Sequence, residues 1–298
     1  MMRLRQFISF AFIVFFTFPI AILPYGLALK VGEAIGFAGF FLWNSRRKIA
    51  LDNLRNAADR GAIELKHSPF FMILRNFMNL GKFLVEIIKI YYGFGDAIFG
   101  KVEIKGEENF RKAAKKGRGI MLITGHCGNW ELMAVCLSIN VSAVKVVARK
   151  QNNHYINRFI ERTREKYGNR VIYKEGALKK ILTALKNRET VGILMDQSVK
   201  RSEGLIIHFL GSNAYAMKTP AIIAHKTKTP VLPIFIHRTE RGHLIEIGEE
   251  VRLSEIEDSD SALLQDTINF SRPIEDYIRA HPEEWLWIHR RWKKIRPQ

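Results

Sequence analysis

The chain has little of what staples small secreted or metal-built folds. It contains two cysteines in 298 residues, Cys127 and Cys136, too few for a disulfide framework in a chain of this length. It has neither a CxxC nor an HExxH pattern, so no metal site is predicted, and neighbouring His126 and Cys127 lack further ligands at a supporting spacing. Acid is scarce. Only 29 Asp and Glu face 47 Lys and Arg, a formal net charge of +18, and the one acidic patch is the run SEIEDSDS at 254–261. Internal repeats and low-complexity linkers are also missing. A hydrophobic content of 47% excludes a disordered tail and provides for one large or two modest cores. The surplus of positive charge requires an anionic partner, and composition alone leaves nucleic acid and an anionic membrane surface equally open.

One long uncharged run favours the membrane. From Gln6 to Leu29 the chain reads QFISFAFIVFFTFPIAILPYGLAL. A bilayer-spanning helix needs about 20 such residues. Pro19 and Pro24 either kink a span or divide the run into two embedded pieces. IGFAGFFLW at 35–43 follows, closed by Arg46, Arg47 and Lys48. A cleaved signal peptide would place Arg3 and Arg5 in its n-region, but no small-x-small site ends the apolar run. The expectation is a membrane anchor or embedded hairpin over 1–45.

Residues 46–100 are expected to form helices packing on membrane and core. The first, within 44–60, is basic and amphipathic; the second, Phe70 to Tyr92, is long and apolar. From about residue 101 to 298 strand and helix alternate. Apolar strands are expected at GIMLIT (119–124), AVKVVA (143–148), VGILMD (191–196) and 230–237, with helices at 129–137, 152–167, 177–186, 215–225 and 262–279. This rhythm predicts an α/β fold: a mostly parallel sheet flanked by helices, preceded by the membrane-associated helical segment.

The sharpest chemical signal is GHCGNWE, Gly125 to Glu131. A buried strand enters a glycine-flanked turn at the sheet edge where open α/β folds bind ligands. His126 stands on that turn as a general base. Glu131, five residues on, is expected to fold back on the imidazole and fix its tautomer. The alternatives are a structural His–Glu pair and a nucleophilic Cys127. Asn129, in the same turn, is grouped with the substrate- or oxyanion-binding candidates. Arg149 follows the next strand and suits phosphate, whereas Arg158 and Arg162 read equally well as a solvated helix face. Asp196 ends another strand, where it would orient an arginine or cap a turn. Gly211, before an expected helix, would present backbone N–H groups to an anion. In the terminal EEWLWIHRRWKKIRP, Trp285, Trp287, Arg290, Arg291 and Trp292 read as a membrane-interface or anionic-lipid contact; a nucleic-acid stacking surface and a buried docking helix are the alternatives.

Together, RRKIALDNL at 46–54, His126-x4-Glu131, the Arg-Lys after the following strand, Asp196-Gln197 and the terminal WLWIHRRWK resemble the late lauroyl/myristoyl acyltransferases of bacterial lipid A biosynthesis, within the wider glycerophosphate acyltransferase-like group. The resemblance implies that His126 is the base and Glu131 its partner, with Arg164 and Asp196 as further site residues. It implies transfer of an acyl chain from acyl carrier protein or acyl-CoA to a glycolipid hydroxyl, without a cofactor or covalent intermediate, at the cytoplasmic face of the bacterial inner membrane. A phosphatidylinositol mannoside or a phospholipid intermediate is the alternative acceptor. A basic nucleic-acid-binding protein is the rival class; it leaves the uncharged N-terminal run unexplained, so no nucleic-acid partner is expected.

Overall fold

The computed structural model describes residues 2–293. The apolar N-terminus forms two helices, α1 (Met2–Ile22) and α2 (Tyr25–Leu42). The break falls at Leu23-Pro24, because a proline disfavours helical geometry in the residue before it. Both helices are long and apolar enough to cross a membrane, and only 6% of the α1 window is buried. Phe12, Phe15 and Phe16 of α1 point away from the protein, each more than half exposed. Such a run of exposed aromatic side chains is suited to lipid rather than to water.

Helices α3 (Asn44–Asp59) and α4 (Pro69–Tyr91) follow. Helix α4 starts cleanly, with Pro69 in its first turn and the Ser68 hydroxyl accepting from Phe71 N–H. It packs against α2 at backbone distance. A Cβ added at Gly36 would stand 2.1 Å from the Phe77 carbonyl oxygen, and one at Gly81 would stand 1.9 Å from that of Gly32.

The rest of the chain is α/β. After a short α5 (Asp96–Phe99) come β1 (Val102–Lys105), α6 (Glu107–Ala114), β2 (Ile120–Thr124), α7 (Trp130–Asn140), β3 (Val144–Ala148), α8 (His154–Lys166), β4 (Arg170–Tyr173), α9 (Ala177–Lys186) and β5 (Thr190–Leu194). A hairpin of β6 (Gly204–Phe209) and β7 (Ser212–Met217) precedes α10 (Thr219–Thr227), β8 (Val231–Arg238), β9 (His243–Ile247) and α11 (Ser259–Ala280). The main sheet has the order β1-β9-β8-β2-β5-β3-β4, and every neighbour pair is parallel except β8 with β9. Strand β2 lies at its centre and is buried along its whole length, as its unbroken apolar sequence predicts. The connections β2–α7–β3 and β3–α8–β4 run towards one sheet edge, while β4–α9–β5 and β5–α10–β8 run back. Right-handed crossovers therefore place α7 and α8 on one face and α9 and α10 on the other. Helix α1 packs on α4 and α8, and α9 packs on β4, β5 and α10.

Two expectations fail. The helix expected from Tyr215 begins only at Thr219, because residues 212–217 pair as β7 with β6. Gly211 therefore lies in a two-residue hairpin turn with Leu210, both at positive φ, and not at a helix N-terminus. Among its described residues, which end at Lys293, the terminal tryptophan-rich segment forms neither an α-helix nor an exposed surface. After α11 it crosses beneath the sheet edge as an irregular strap, in which Trp285, Trp287 and Arg291 are at most 1% exposed. Burial pushes the Arg291 guanidinium down to about 10. It stacks over Phe209 at 4.6 Å and donates to the Tyr215 carbonyl. Trp292 packs half-buried against Trp285. Of the five residues assigned to membrane or lipid, only Arg290 is exposed.

The close approach of α2 and α4 makes a prediction. Gly36→Ala or Gly81→Ala, either of which drives a methyl into backbone, is expected to destabilise the protein by about 1–3 kcal/mol. Gly26→Ala in the same helix α2 meets nothing within 4 Å and is the neutral control. Thermal unfolding in detergent checks this, and equal midpoints for all three variants would contradict it.

Candidate active site

Strand register builds the site. Thr124 of β2 pairs with Leu194 of β5, and Met195 N–H continues the ladder to the Thr124 carbonyl. His126 and Asp196, each two residues past its strand end, therefore emerge side by side. The His126 Nδ1–H donates to Asp196 Oδ1 at 2.7 Å. The Gln197 amide donates to His126 Nε2 at 3.1 Å. This arrangement leaves Nε2 as the basic nitrogen on a side chain that is 20% exposed, with the Trp130 ring edge-on at 4.9 Å.

Asp196 is 3% exposed and uses both oxygens. Its Oδ2 accepts the indole N–H of Trp285 at 2.9 Å. Burial alone would raise the carboxyl; the imidazole charge and the His126 and Trp285 hydrogen bonds outweigh it and hold the group well below the usual carboxylate range. Asp196 therefore neither orients an arginine nor caps a turn. It holds the role in which Glu131 was expected.

Glu131 does not meet His126 in a hydrogen bond. Its carboxylate takes the Arg164 guanidinium at 2.6 and 3.3 Å and the Tyr91 hydroxyl at 3.2 Å. Burial would lower the Arg164 pKa, but the facing Glu131 more than offsets it and leaves the guanidinium raised above its ordinary value. The sequence reading placed both residues in the site but drew the wrong pairing, because chain proximity says nothing about which strand lies alongside β2.

The turn itself is rigid. Gly128 has φ +53°, and a Cβ there would stand 1.9 Å from the Ile236 carbonyl oxygen. Asn129 caps α7 through Leu132 N–H and donates to Glu86 at 2.8 Å. Glu86 is fully buried; burial raises its carboxyl, but His243 and Arg238 overcome this and bring it to about 2. Asn129 thus belongs to a buried ionic network and not to the substrate or oxyanion site. Gly211 is not in the site either; it packs against Arg60, just past the end of α3. Cys127 is 1% exposed, and burial, with Asp196 and Glu284 nearby, pushes its thiol well above the usual range, so it is unsuited to nucleophilic attack.

The strap closes the site from below. Cys127 bridges Trp285, Leu286 N–H donates to the His126 carbonyl, and Gly128 N–H donates to the Glu284 carbonyl. Asparagines of the helical segment hold the strap in turn. Asn76 on α4 donates to the Glu283 and Trp285 carbonyls, and Asn53 on α3 to those of Trp287 and His289. Arg46 donates to Ile288. The RRKIALDNL stretch therefore braces the strap beneath the His126 turn.

A cavity of about 260 Å³ opens beside His126. Glu131, Arg149, Arg164, Lys174 and Gln197 form its polar part, and Leu122, Met133, Leu137, Val144, Gly192 and Ile234 are among its apolar walls. His126, Arg149, Lys174 and Gln197 stand at the C-terminal strand ends, while Val144 lies at the opposite end of β3. The cavity therefore runs down the sheet beneath α7, wet at the mouth and apolar below. Lys174 was missed by sequence reasoning. Its register gives it away: Ala148 of β3 pairs with Tyr173 of β4, so Arg149 and Lys174 each stand one residue past a paired strand end. Trp285 was singled out but given the wrong role.

Comparison with known proteins identifies the family. The family model described as bacterial lipid A biosynthesis acyltransferase matches residues 1–294. The chain is 23% identical over 278 residues to the lipid A biosynthesis palmitoleoyltransferase of Escherichia coli, covering 91% of this chain and 86% of that one. It is 23% identical over 280 residues to the E. coli lipid A biosynthesis lauroyltransferase, covering 93% and 88%. The 1-acyl-sn-glycerophosphate acyltransferase of Thermotoga maritima overlays with a TM-score of 0.38 at 17% identity, covering 84% of this chain and 96% of that one. A basic, membrane-associated α/β chain with a carboxylate-held histidine at the mouth of an apolar cavity, matched along almost its whole length, belongs to the bacterial lipid A biosynthesis acyltransferase family and is an acyltransferase.

Proposed function

We propose that the enzyme moves a fatty acyl chain from a thioester donor, acyl carrier protein, to a hydroxyl of a lipid A precursor at the cytoplasmic face of the inner membrane. The observation that carries this reading is the position of His126 Nε2 at the mouth of a cavity that is cationic at its rim and apolar below. The fatty chain lies in the apolar part. Its thioester carbonyl stays at the mouth, and the anionic groups of the substrates meet Arg149 and Lys174.

The chemistry follows from the hydrogen bonds. Asp196 holds Nδ1–H, so Nε2 takes the proton of the acceptor hydroxyl as its oxygen attacks the thioester carbonyl. The carbon–sulfur bond then breaks, and the imidazolium returns the proton to the departing thiolate. An acyl-enzyme is unnecessary, because both substrates are present at once. Glu131 keeps Arg164 extended into the cavity, where the guanidinium meets negative charge on the substrates or on the tetrahedral intermediate.

His126→Ala and Asp196→Asn are each expected to lower kcat about 100-fold or more, the scale of a general base. Glu131→Ala is expected to do likewise through Arg164. Trp285→Phe, which removes one N–H from Asp196 while keeping a ring in the core, is expected to cost about tenfold, close to one hydrogen bond to a charged acceptor. Purified protein assayed with acyl-thioester and lipid acceptor by mass spectrometry measures each. Normal turnover in His126→Ala would sink the mechanism.

Chain length is set by the cavity depth. Gly192 leaves its wall open; an added Cβ would come within 3.1 Å of Val144 Cγ1. Gly192→Val is expected to shift donor preference towards shorter acyl chains. Competition between donors of different length is the check, and an unchanged product distribution would remove the cavity from the reading.

A further inference from the structure

The segment from β4 through α9 to the start of β5, residues 170–189, carries six Lys and Arg against two Glu. One of the two, Glu189, is taken by Lys145. Arg170, Lys174, Lys179 and Lys180 are exposed, and no ion pair among the described residues engages them. Between edge strand β4 and α9 runs an open groove of about 480 Å³, with Lys145, Arg170, Lys179 and Lys180 around an apolar floor that includes Ile172 and Ala184. Leu178, 47% exposed, stands on α9 beside these cations. Lys174 links this face to the catalytic cavity, whose mouth it lines.

A charged sheet edge is one ordinary way to block strand-to-strand aggregation, and Arg170 on edge strand β4 serves that end. It does not account for Lys179, Lys180 and the exposed Leu178, which sit on the helix. An exposed apolar residue among exposed cations, with Glu175 the one exposed acid in the segment, is the anatomy of a transient interface with an acidic protein. An anionic bilayer is the competing partner. It is disfavoured by topology: α1 packs on α8, whereas the crossovers put α9 on the opposite face of the sheet.

We propose that the β4–α9 face is the docking surface for the acidic carrier protein, placing its tethered acyl thioester at the mouth beside Arg149 and Lys174. This rests on the thioester-donor reading above and adds the place from which the donor approaches.

The test uses the full-length protein in detergent with Lys179→Glu/Lys180→Glu and, separately, the milder Lys179→Gln/Lys180→Gln. Acyl carrier protein and acyl-pantetheine serve as alternative donors, and flotation with phosphatidylglycerol vesicles is read in parallel. For the charge reversal, KM for the carrier-bound donor is expected to rise at least ~10-fold with kcat within about twofold, and its salt dependence to flatten. The Gln pair is expected to fall between it and wild type. Turnover of acyl-pantetheine and vesicle binding are expected to stay unchanged. An unchanged KM for the carrier-bound donor overturns the proposal. So does an equal loss with both donors, which marks a damaged fold, or a loss of vesicle binding alone, which makes the face a membrane contact. A wild-type enzyme that turns over acyl-pantetheine but refuses the carrier-bound chain fails the donor reading itself, and does so before any variant is made.

Discussion

Asp196 is the group around which this protein is organised. A carboxylate buried to this degree is costly unless each oxygen is met by a donor. Here one oxygen takes the His126 imidazole and the other the Trp285 indole. The first bond fixes the tautomer that frees Nε2. The second ties the His126–Asp196 pair to a segment 89 residues beyond Asp196 in sequence, and that requirement spreads outward. Trp285 reaches Asp196 only if the strap passes under the turn at Gly128, and the strap stays there because Asn53 and Asn76 satisfy its carbonyls. Side chains on α3 and α4 thus reach the base through a chain of hydrogen bonds. The N-terminal helices are consequently part of the site's scaffold as well as its attachment to the membrane.

The +18 charge, ambiguous in composition, resolves into separate populations. Arg291 is spent inside the protein on a carbonyl and an aromatic face. Arg164 and Arg238 are matched by Glu131 and Glu86. Arg149 and Lys174 stand at the cavity mouth without a carboxylate partner among the described residues, and a further group decorates α9. The tryptophans tell a similar story. Rings beside arginines in sequence suggested an interface belt, yet Trp285 and Trp287 lie edge-to-face in the core at 4.6 Å. Large rings with one polar edge serve either purpose, and the sequence pattern is the same for both. Only tertiary structure shows where each N–H finds its acceptor, which is Asp196 for Trp285 and the Pro282 carbonyl for Trp287.

That distinction marks how far the sequence could be read. The buried strand at 120–124, the break at Pro24 and the turn GHCGN follow from local rules about apolar runs, prolines and glycines. His126 was accessible for the same reason, whereas Arg164 was pointed to only by the family resemblance. The partner of His126 was not, because sheet order is a long-range property. Strand β5 is the fifth strand in sequence yet lies directly beside β2. Once that neighbour relation exists, the pairing of Thr124 with Leu194 brings His126 and Asp196 together without further instruction, and the pairing of Ala148 with Tyr173 does the same for Arg149 and Lys174. Gly211 shows the opposite error. A glycine signal was given to a helix start, whereas two positive-φ residues closing a hairpin required it.

The same topology bears on how two dissimilar substrates can share one base. Helix α1 is clipped to the loop after β3: Gln6 Nε2 donates to the Asn152 carbonyl at 3.2 Å, and Asn153 Nδ2 donates to the Gln6 carbonyl at 2.8 Å. Phe10 packs against Tyr155 and Phe159 of α8. The lipid-facing helix therefore borders Arg149 and the helix that carries Arg164. On the proposed reading, an acceptor embedded in the bilayer approaches along this side, while a carrier-bound donor arrives from the α9 side, across the sheet edge. The two routes converge on His126 because β2 is central and the cavity mouth lies at its C-terminal end. A direct transfer needs both substrates at the base together. Entry from opposite faces of one sheet allows that without either substrate having to pass the other.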